Sequence, residues 1–430
     1  MGNRFDSSPL ARRTVVAAMF LIASLPAAGI AQGQQHFGIV SELPLVTKTL
    51  NTDFSLDSLQ TFLKQLCGEL PVMVHGTPTS IPHRFAGNGS QEYRDAARHI
   101  ANVFERYGLH TVLENNRDPY TRLNVIGTLP GRRAEYVMIC AHYDSRFEGC
   151  PGTDDNASGT AAVLEAARLL HDIPFEYSIK FVAFGGEELG LLGSKAYVAA
   201  HGDDSIRAVI NLDMIAWDGN ANRVVQVHSE APTDSNRAED LFRLISDVDD
   251  VYGLLTEVAL VRPGIGASDH APFWDAGHPA VLLIEEFGSD FNPYYHSEKD
   301  NWINMSAEKH QLLFRSITQL AIGSVMHLAS PMDPLLHVAA SADHAAGMQI
   351  FAYPNPTHGR TSIAWSSPFR TPVVLVVTDL LGREVFRAER QAVGSTPQIE
   401  AVDFTSLPHG MYLLRLSGAQ HAVTEKLLLR

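Results

Sequence analysis

Residues 136–144 read Tyr136-Val137-Met138-Ile139-Cys140-Ala141-His142-Tyr143-Asp144. The first six are apolar without a break, lacking the alternation of a strand with one wet face. A run this short and continuous reads as a strand buried on both sides. It ends on a histidine, and a carboxylate follows two residues later, on the same side of an extended chain. Three further runs have this character: Ile179 to Phe184, Ala208 to Leu212 and Ala280 to Ile284. Between the first two lies Gly159 to Leu170, rich in Ala and Leu and read as a helix, with Asn156 or Ser158 as N-cap candidate. Continuous apolar strands separated by helices predict an α/β fold, a mostly parallel central sheet with helices on both faces. Ligand sites in such sheets form beyond the carboxyl ends of the strands. His142, Glu187, Glu188 and Asp213 all stand just past the end of one of these runs.

Toward the N-terminus, Ile100, Val103, Phe104 and Tyr107 fall at helical spacing and predict a helix over Gln91 to Tyr107. Leu123 to Leu129 reads as an edge or hairpin strand closed by Pro130-Gly131. Residues 32–50 read as a short pro-segment or lead-in. Arg4, Arg12 and Arg13 precede the apolar stretch Val15 to Leu25, and Gly29-Ile30-Ala31 supplies small residues for cleavage. Residues 1–31 therefore read as a signal peptide, too short in its apolar part to be a stable transmembrane anchor. Past the central region (51–330), residues 331–347 are rich in Ala, His and Asp and read as a linker. Thr361 to Trp365, Val373 to Thr378 and Met411 to Leu416 then predict a small all-β sandwich over 348–430, with turns at Leu381-Gly382 and His409-Gly410.

The chain has 430 residues, enough for two or three domains, with an ordinary 45% hydrophobic and 19% charged residues. A net charge of −15, with no basic run after the first residues, argues against nucleic acid or an anionic membrane as partner. Three cysteines, Cys67, Cys140 and Cys150, make no disulfide framework; one pair can form in an oxidising compartment, Cys140 with Cys150 being nearest in sequence.

Five polar segments carry the chemistry: Ala141-His142-Tyr143-Asp144-Ser145, Thr153-Asp154-Asp155-Asn156-Ala157-Ser158-Gly159, Gly186-Glu187-Glu188-Leu189-Gly190, Asn211-Leu212-Asp213-Met214 and Tyr295-His296-Ser297-Glu298-Lys299-Asp300. Zinc takes imidazole nitrogen and carboxylate oxygen, and a zinc pair needs about five such ligands in one pocket. Two adjacent Asp exceed what a helix cap at 154–156 needs, and a carboxylate bridging two metals accounts for the excess. Glu187 and Glu188 repel unless cations neutralise them; one can bind metal while the other shuttles protons. Asp213, between Leu212 and Met214, is costly to bury without a cation or donors. Asp144 can hold the other ring nitrogen of His142.

Taken together and in this order, from about Arg84 to Leu328, the segments resemble the zinc-dependent aminopeptidase family, which includes the secreted bacterial leucine aminopeptidases. Glutaminyl cyclases and glutamate carboxypeptidases share its zinc exopeptidase fold. The resemblance implies two Zn2+ per chain. His142 and Asp213 would bind one, Glu188 and His296 the other, and Asp155 would bridge them. Glu187 would be the general base acting on a metal-bound hydroxide, Asp144 the carboxylate behind His142, and Tyr295 a donor to the developing oxyanion. Ser268-Asp269-His270-Ala271-Pro272-Phe273 matches a family segment near the substrate pocket and is given a supporting role. The substrates implied are peptides with a free N-terminus. Two other readings stand beside it: a glutaminyl-peptide cyclotransferase with one zinc, and a non-catalytic receptor-like module on the same fold.

The C-terminal segment resembles the sorting domain of the type IX secretion system. The likeness lies in Tyr353-Pro354-Asn355-Pro356 with Gly359, Leu380-Leu381-Gly382-Arg383, Leu407-Pro408-His409-Gly410-Met411-Tyr412 and the ending Lys426-Leu427-Leu428-Leu429-Arg430. It implies the type IX machinery as partner, with passage through the periplasm to the medium or the cell surface.

Overall fold

The computed structural model describes residues 37, 40–87, 89–115, 123–202, 204–230, 237–332, 348–353, 355, 357, 359–394, 398–418 and 421–429. The expected signal peptide and most of the expected linker lie outside the described residues.

Eight strands form one mixed sheet: β1 (His110–Asn115), β2 (Leu123–Leu129), β3 (Arg133–His142), β4 (Tyr177–Phe184), β5 (Ile206–Leu212), β6 (Val224–Ser229), β7 (Glu257–Val261) and β8 (Ala280–Ile284). Their order across the sheet is β1-β2-β4-β3-β5-β8-β6-β7. The four central strands, β4, β3, β5 and β8, run parallel. These are the four runs that read as continuous apolar strands, and every residue of β5 and of β8 is buried. β2 is not an edge strand. It lies between β4 and β1, antiparallel to both, and its hairpin partner β1 precedes it in the chain.

Both faces of the sheet are covered. Val137, Ile139 and Ala141 face one way, into a core shared with α1 (Leu56–Leu66), α2 (Gln91–Arg106), α3 (Gly159–Leu170), α5 (Arg237–Tyr252) and α6 (Glu308–Ala329). Tyr136, Met138 and Cys140 face the other way, against Tyr197 of α4 (Leu192–Ala200) and Phe273. Such two-sided burial removes the alternation of a half-wet strand. Among the described residues α6 alone is long and apolar enough to cross a membrane, and it is mostly buried in the protein. The described part of the lead-in belongs to this body: Val40 lies in its core, and Phe37 and Leu43 pack against it. Val46 and Leu50 are fully buried, Leu43 N–H donates to the Tyr252 hydroxyl (3.2 Å), and Gln319 Nε2 donates to Leu50 O (2.6 Å). Cys140 and Cys150, the pair nearest in sequence, are not bonded: all three cysteines are free and buried. Cys140 is held inside β3, whereas Cys150 lies in a loop with its sulfur 3.3 Å from Ser297 O.

The C-terminal segment forms two antiparallel sheets. One has the order β9 (Gln349–Tyr353), β10 (Arg360–Ser366), β13 (Gln398–Asp403). The other has the order β12 (Glu384–Gln391), β11 (Pro372–Asp379), β14 (Gly410–Ser417), β15 (Ala422–Leu429). Val373, Leu375 and Val377 alternate inward and meet Ile363, Trp365, Leu414 and Leu416 in a core of their own. This is the period-2 pattern of sheets with one solvated face.

Candidate metal centre

His142 is the last residue of β3, and Asp213 directly follows β5. Glu187 and Glu188 lie in a single 3-10 turn after β4, entered through Gly186 at φ 74°. Asp155 lies in the loop that leads into α3, and His296 in the loop after β8. Neighbouring side chains fix several of these backbones. The Asp144 carboxylate accepts the N–H groups of Glu187 (3.1 Å) and Glu188 (3.3 Å), so it sets the turn that aims both glutamates. The expected contact of this carboxylate with His142 is secondary. His142 Nδ1 lies 3.2 Å from the carbonyl oxygen of Asp144 and 3.6 Å from its carboxylate. Asp300 accepts the N–H groups of Asp154 (2.8 Å) and Asp155 (3.0 Å). Asn156 caps α3 by accepting Gly159 N–H (2.8 Å), and its amide donates to Leu212 O (2.8 Å), tying the helix start to the end of β5 beside Asp213. A Cβ at Gly159 would come within 2.4 Å of Leu212 O, so only glycine permits this approach. Met214 and His296 both adopt φ 53°, a left-handed conformation uncommon outside glycine.

The donor atoms fall into two groups, His142 with Asp155 and Asp213, and Asp155 with Glu188 and His296. Within each, the ligand atoms lie within 4.8 Å of one another. His142 Nε2 is 3.2 Å from Asp213 Oδ1 and 3.3 Å from Asp155 Oδ1. His296 Nε2 is 3.1 Å from Asp155 Oδ2 and 3.2 Å from Glu188 Oε2. One oxygen of Asp155 thus faces each group. Glu187 Oε2 lies 3.9 Å from His142 Nε2 and belongs to neither group.

Crowding five carboxylates in a buried pocket distorts their protonation. Burial drives the Glu187 carboxyl well above its usual range, against the pull of His142. Burial, with the Asp155 charge behind it, raises Glu188 to about 7. Burial disfavours a charged His296, but Asp155 and Glu188 outweigh it and lift the imidazole to about 9. Asp155 is held low despite burial, by the two histidines. This donor set fits metal. It consists of imidazole nitrogen and carboxylate oxygen, the ligands zinc takes, and Glu188 Oε1 is buried without a partner among the described residues, a spare ligand atom.

Tyr295 stacks on His296 with ring centroids 3.6 Å apart and is 42% exposed. Burial, then the neighbouring carboxylates, pushes its phenol upward, so it stays a donor. Asp269 is fully buried, and burial raises it to about 7. Asn211 Nδ2 donates to Ser268 Oγ (2.8 Å) and His270 Nε2 lies 2.8 Å from Ile265 O, so this segment packs around the ends of the strands. Arg84 and Asp300 were given no role from sequence. Arg84 is fully buried and donates to four carbonyls: Leu66 (2.6 Å), Tyr143 (2.6 Å), Pro151 (2.7 Å) and Gly152 (2.8 Å). It thereby clamps the loop that delivers Asp155.

Comparisons with known proteins agree with this architecture. Residues 124–321 match the profile of Peptidase family M28, and residues 351–430 that of a secretion system C-terminal sorting domain. Aminopeptidase YwaD of Bacillus subtilis (strain 168) is 33% identical over 202 residues, 44% of this chain and 42% of its own length. Leucine aminopeptidase 1 of Trichophyton rubrum is 30% identical over 250 residues, 54% of this chain and 66% of its own. The chain thus spans between 42% and 66% of these two relatives. Among solved structures, the LapA aminopeptidase of Legionella pneumophila superposes with a TM-score of 0.58 at 21% identity, over 75% of this chain and 81% of its own, a likeness of fold.

Proposed function

We propose that the chain is an exported di-zinc aminopeptidase, with residues 51–330 as the peptidase domain and 348–430 as a type IX sorting domain. One observation carries the metal reading: Asp155 points one carboxylate oxygen at His142 (3.3 Å) and the other at His296 (3.1 Å). A carboxylate so placed would be shared by both sites if each held a metal. His142 and Asp213 would complete one zinc site, Glu188 and His296 the other. Zinc there supplies Lewis acidity and makes a water acidic near neutral pH.

The chain's own groups do the rest. Glu187, close to the donors and belonging to neither group, takes the proton of the attacking water and passes it to the leaving amine. Tyr295 donates a hydrogen bond to the carbonyl oxygen as charge develops on it. Asp144 keeps Glu187 and Glu188 on their turn. The surrounding carboxylates suit the ammonium group of a free peptide N-terminus, which makes the enzyme an exopeptidase.

The test is hydrolysis of a panel of aminoacyl amides by the purified protein, with and without a chelator, alongside metal analysis. Two zinc per chain and chelator-sensitive turnover are expected. One zinc with cyclisation of N-terminal glutamine favours the glutaminyl cyclotransferase, and no turnover of either kind favours a receptor-like module.

A further inference from the structure

Two side chains of the C-terminal segment are exposed in a way its own folding does not require. Leu380 is 66% exposed and Leu381 80% exposed, at the tip of the hairpin joining β11 to β12. The tip is built rather than loose. Asp379 Oδ1 accepts the N–H groups of Leu381 (2.9 Å) and Arg383 (2.9 Å), and its Oδ2 accepts Arg383 Nε (2.6 Å). Gly382 supplies the turn's left-handed position at φ 79°. None of these bonds uses a leucine side chain, so polar residues at 380 and 381 would serve the turn equally well. Large apolar side chains held in water on a rigid support have the character of binding anchors.

Beside the tip, the outer face of the four-stranded sheet forms a groove lined by Val374, Val376, Thr378, Leu413, Arg387 and Arg415. Arg387 pairs with Glu384 (2.9 Å). Arg415, directly across from Val376, is exposed and has no ion pair among the described residues. Residues 348–430 carry eight Lys and Arg against six Asp and Glu, a basic segment on a chain of net charge −15.

We propose that Leu380 and Leu381, with Arg415 on the adjoining sheet face, form the surface by which a protein of the export machinery takes hold of this chain. The partner carries an apolar socket with acidic side chains at its rim. The inference rests on the export reading above and adds to it the part of the segment that is read.

The experiment follows full-length chains in a host with the type IX system. L380S/L381S should accumulate in the periplasm, with at least about tenfold less protein in the medium, as loss of two anchors implies. R415E should show a smaller defect of the same kind. V393S and I399S, at exposed apolar positions elsewhere on the segment, should reach the medium normally. The purified L380S/L381S protein should melt at the wild-type temperature and keep its peptidase activity; if the double variant does not fold, L381S alone is read. Normal export of the leucine variant, while a chain lacking 348–430 stays in the periplasm, overturns the docking surface and leaves the export reading standing. Export of the chain lacking 348–430 overturns both. Loss of self-association in L380S/L381S with unchanged export shows a contact between copies and likewise overturns the proposal.

Discussion

Glu187 and Glu188 are adjacent in sequence and differ in what surrounds them. Glu188 shares His296 with Asp155, whereas Glu187 stands outside both donor groups. Glu187→Gln should therefore keep both zinc ions and lose about 10²–10⁴ in turnover, the usual contribution of a general base. Near-normal activity, or loss of metal on elemental analysis, would show the role misassigned. Asp155 faces both groups, so Asp155→Ala should weaken both metals together, while His142→Ala and His296→Ala should each weaken mainly one. Metal titration of the three variants separates these outcomes; selective loss of the same single zinc in all three would remove the bridge. His142, Glu187, Glu188 and Asp213 are legible because each stands just past an apolar run, beyond the carboxyl end of a strand; Asp155 and His296 lie in polar loops and are legible only through the family resemblance of their segments. Arg84 and Asp300 were not legible, for a physical reason. They act on backbone groups far away in sequence, and a carbonyl or N–H of Gly152 or Asp155 looks like any other in a sequence.

The same contrast holds for the elements. β3, β4, β5 and β8 are buried on both faces, and their unbroken apolar runs announce them. Neither β1 nor β7 has a buried position, so neither carries a pattern that outweighs its polar residues. β2 reads as an edge or hairpin strand when β1 goes unseen, and it is the hairpin reading that holds. Loops are harder still, since their order comes from clamps. Arg84→Met would leave four carbonyls without their donor; orphaned buried acceptors cost about 1–3 kcal/mol each at most, so a loss on the order of 3 kcal/mol or more is expected. Urea unfolding measures this, and a change under about 0.5 kcal/mol, the range of ordinary surface substitutions, would show the clamp idle. Helix α2 offers a pH test. His99 is buried, and burial lowers its pKa from 6.5 to about 4. The unfolded chain therefore takes up this proton first, and stability falls as pH drops from 6.5 toward 4, by up to about 1.4 kcal/mol per pH unit. His99→Leu removes that proton. Its stability should depend less steeply on pH across this window than the wild type's, and parallel curves would refute the assignment.

At the scale of the whole molecule, the central sheet and the C-terminal sheets have hydrophobic cores with no residue in common. Units with separate cores usually fold independently. If the C-terminal segment serves export alone, removing it should leave chemistry intact. The position of the cut matters. A linker starting at residue 331 suggests ending the chain near Ser330, but the next two residues still belong to the sheet's body. Pro331 bridges to Phe175, Met332 N–H donates to Pro174 O (2.8 Å), and Glu176 N–H donates to Ser330 O (3.0 Å). A chain ending after Asp333 keeps all three contacts; one ending at Ser330 loses the first two and exposes the C-terminal end of α6. The longer truncation should bind zinc and hydrolyse peptides with kcat and KM close to those of the full chain, and in its host should remain in the periplasm. The shorter one should do the same chemistry with a slightly lower melting temperature, because the backbone hydrogen bond it loses, Met332 N–H to Pro174 O, is worth about 0.5–1.5 kcal/mol. Turnover in vitro and location in cells, measured for all three lengths, decide the matter. Loss of activity in a folded protein ending after Asp333 would make the C-terminal segment part of the catalytic unit, and its arrival in the medium would end the sorting assignment.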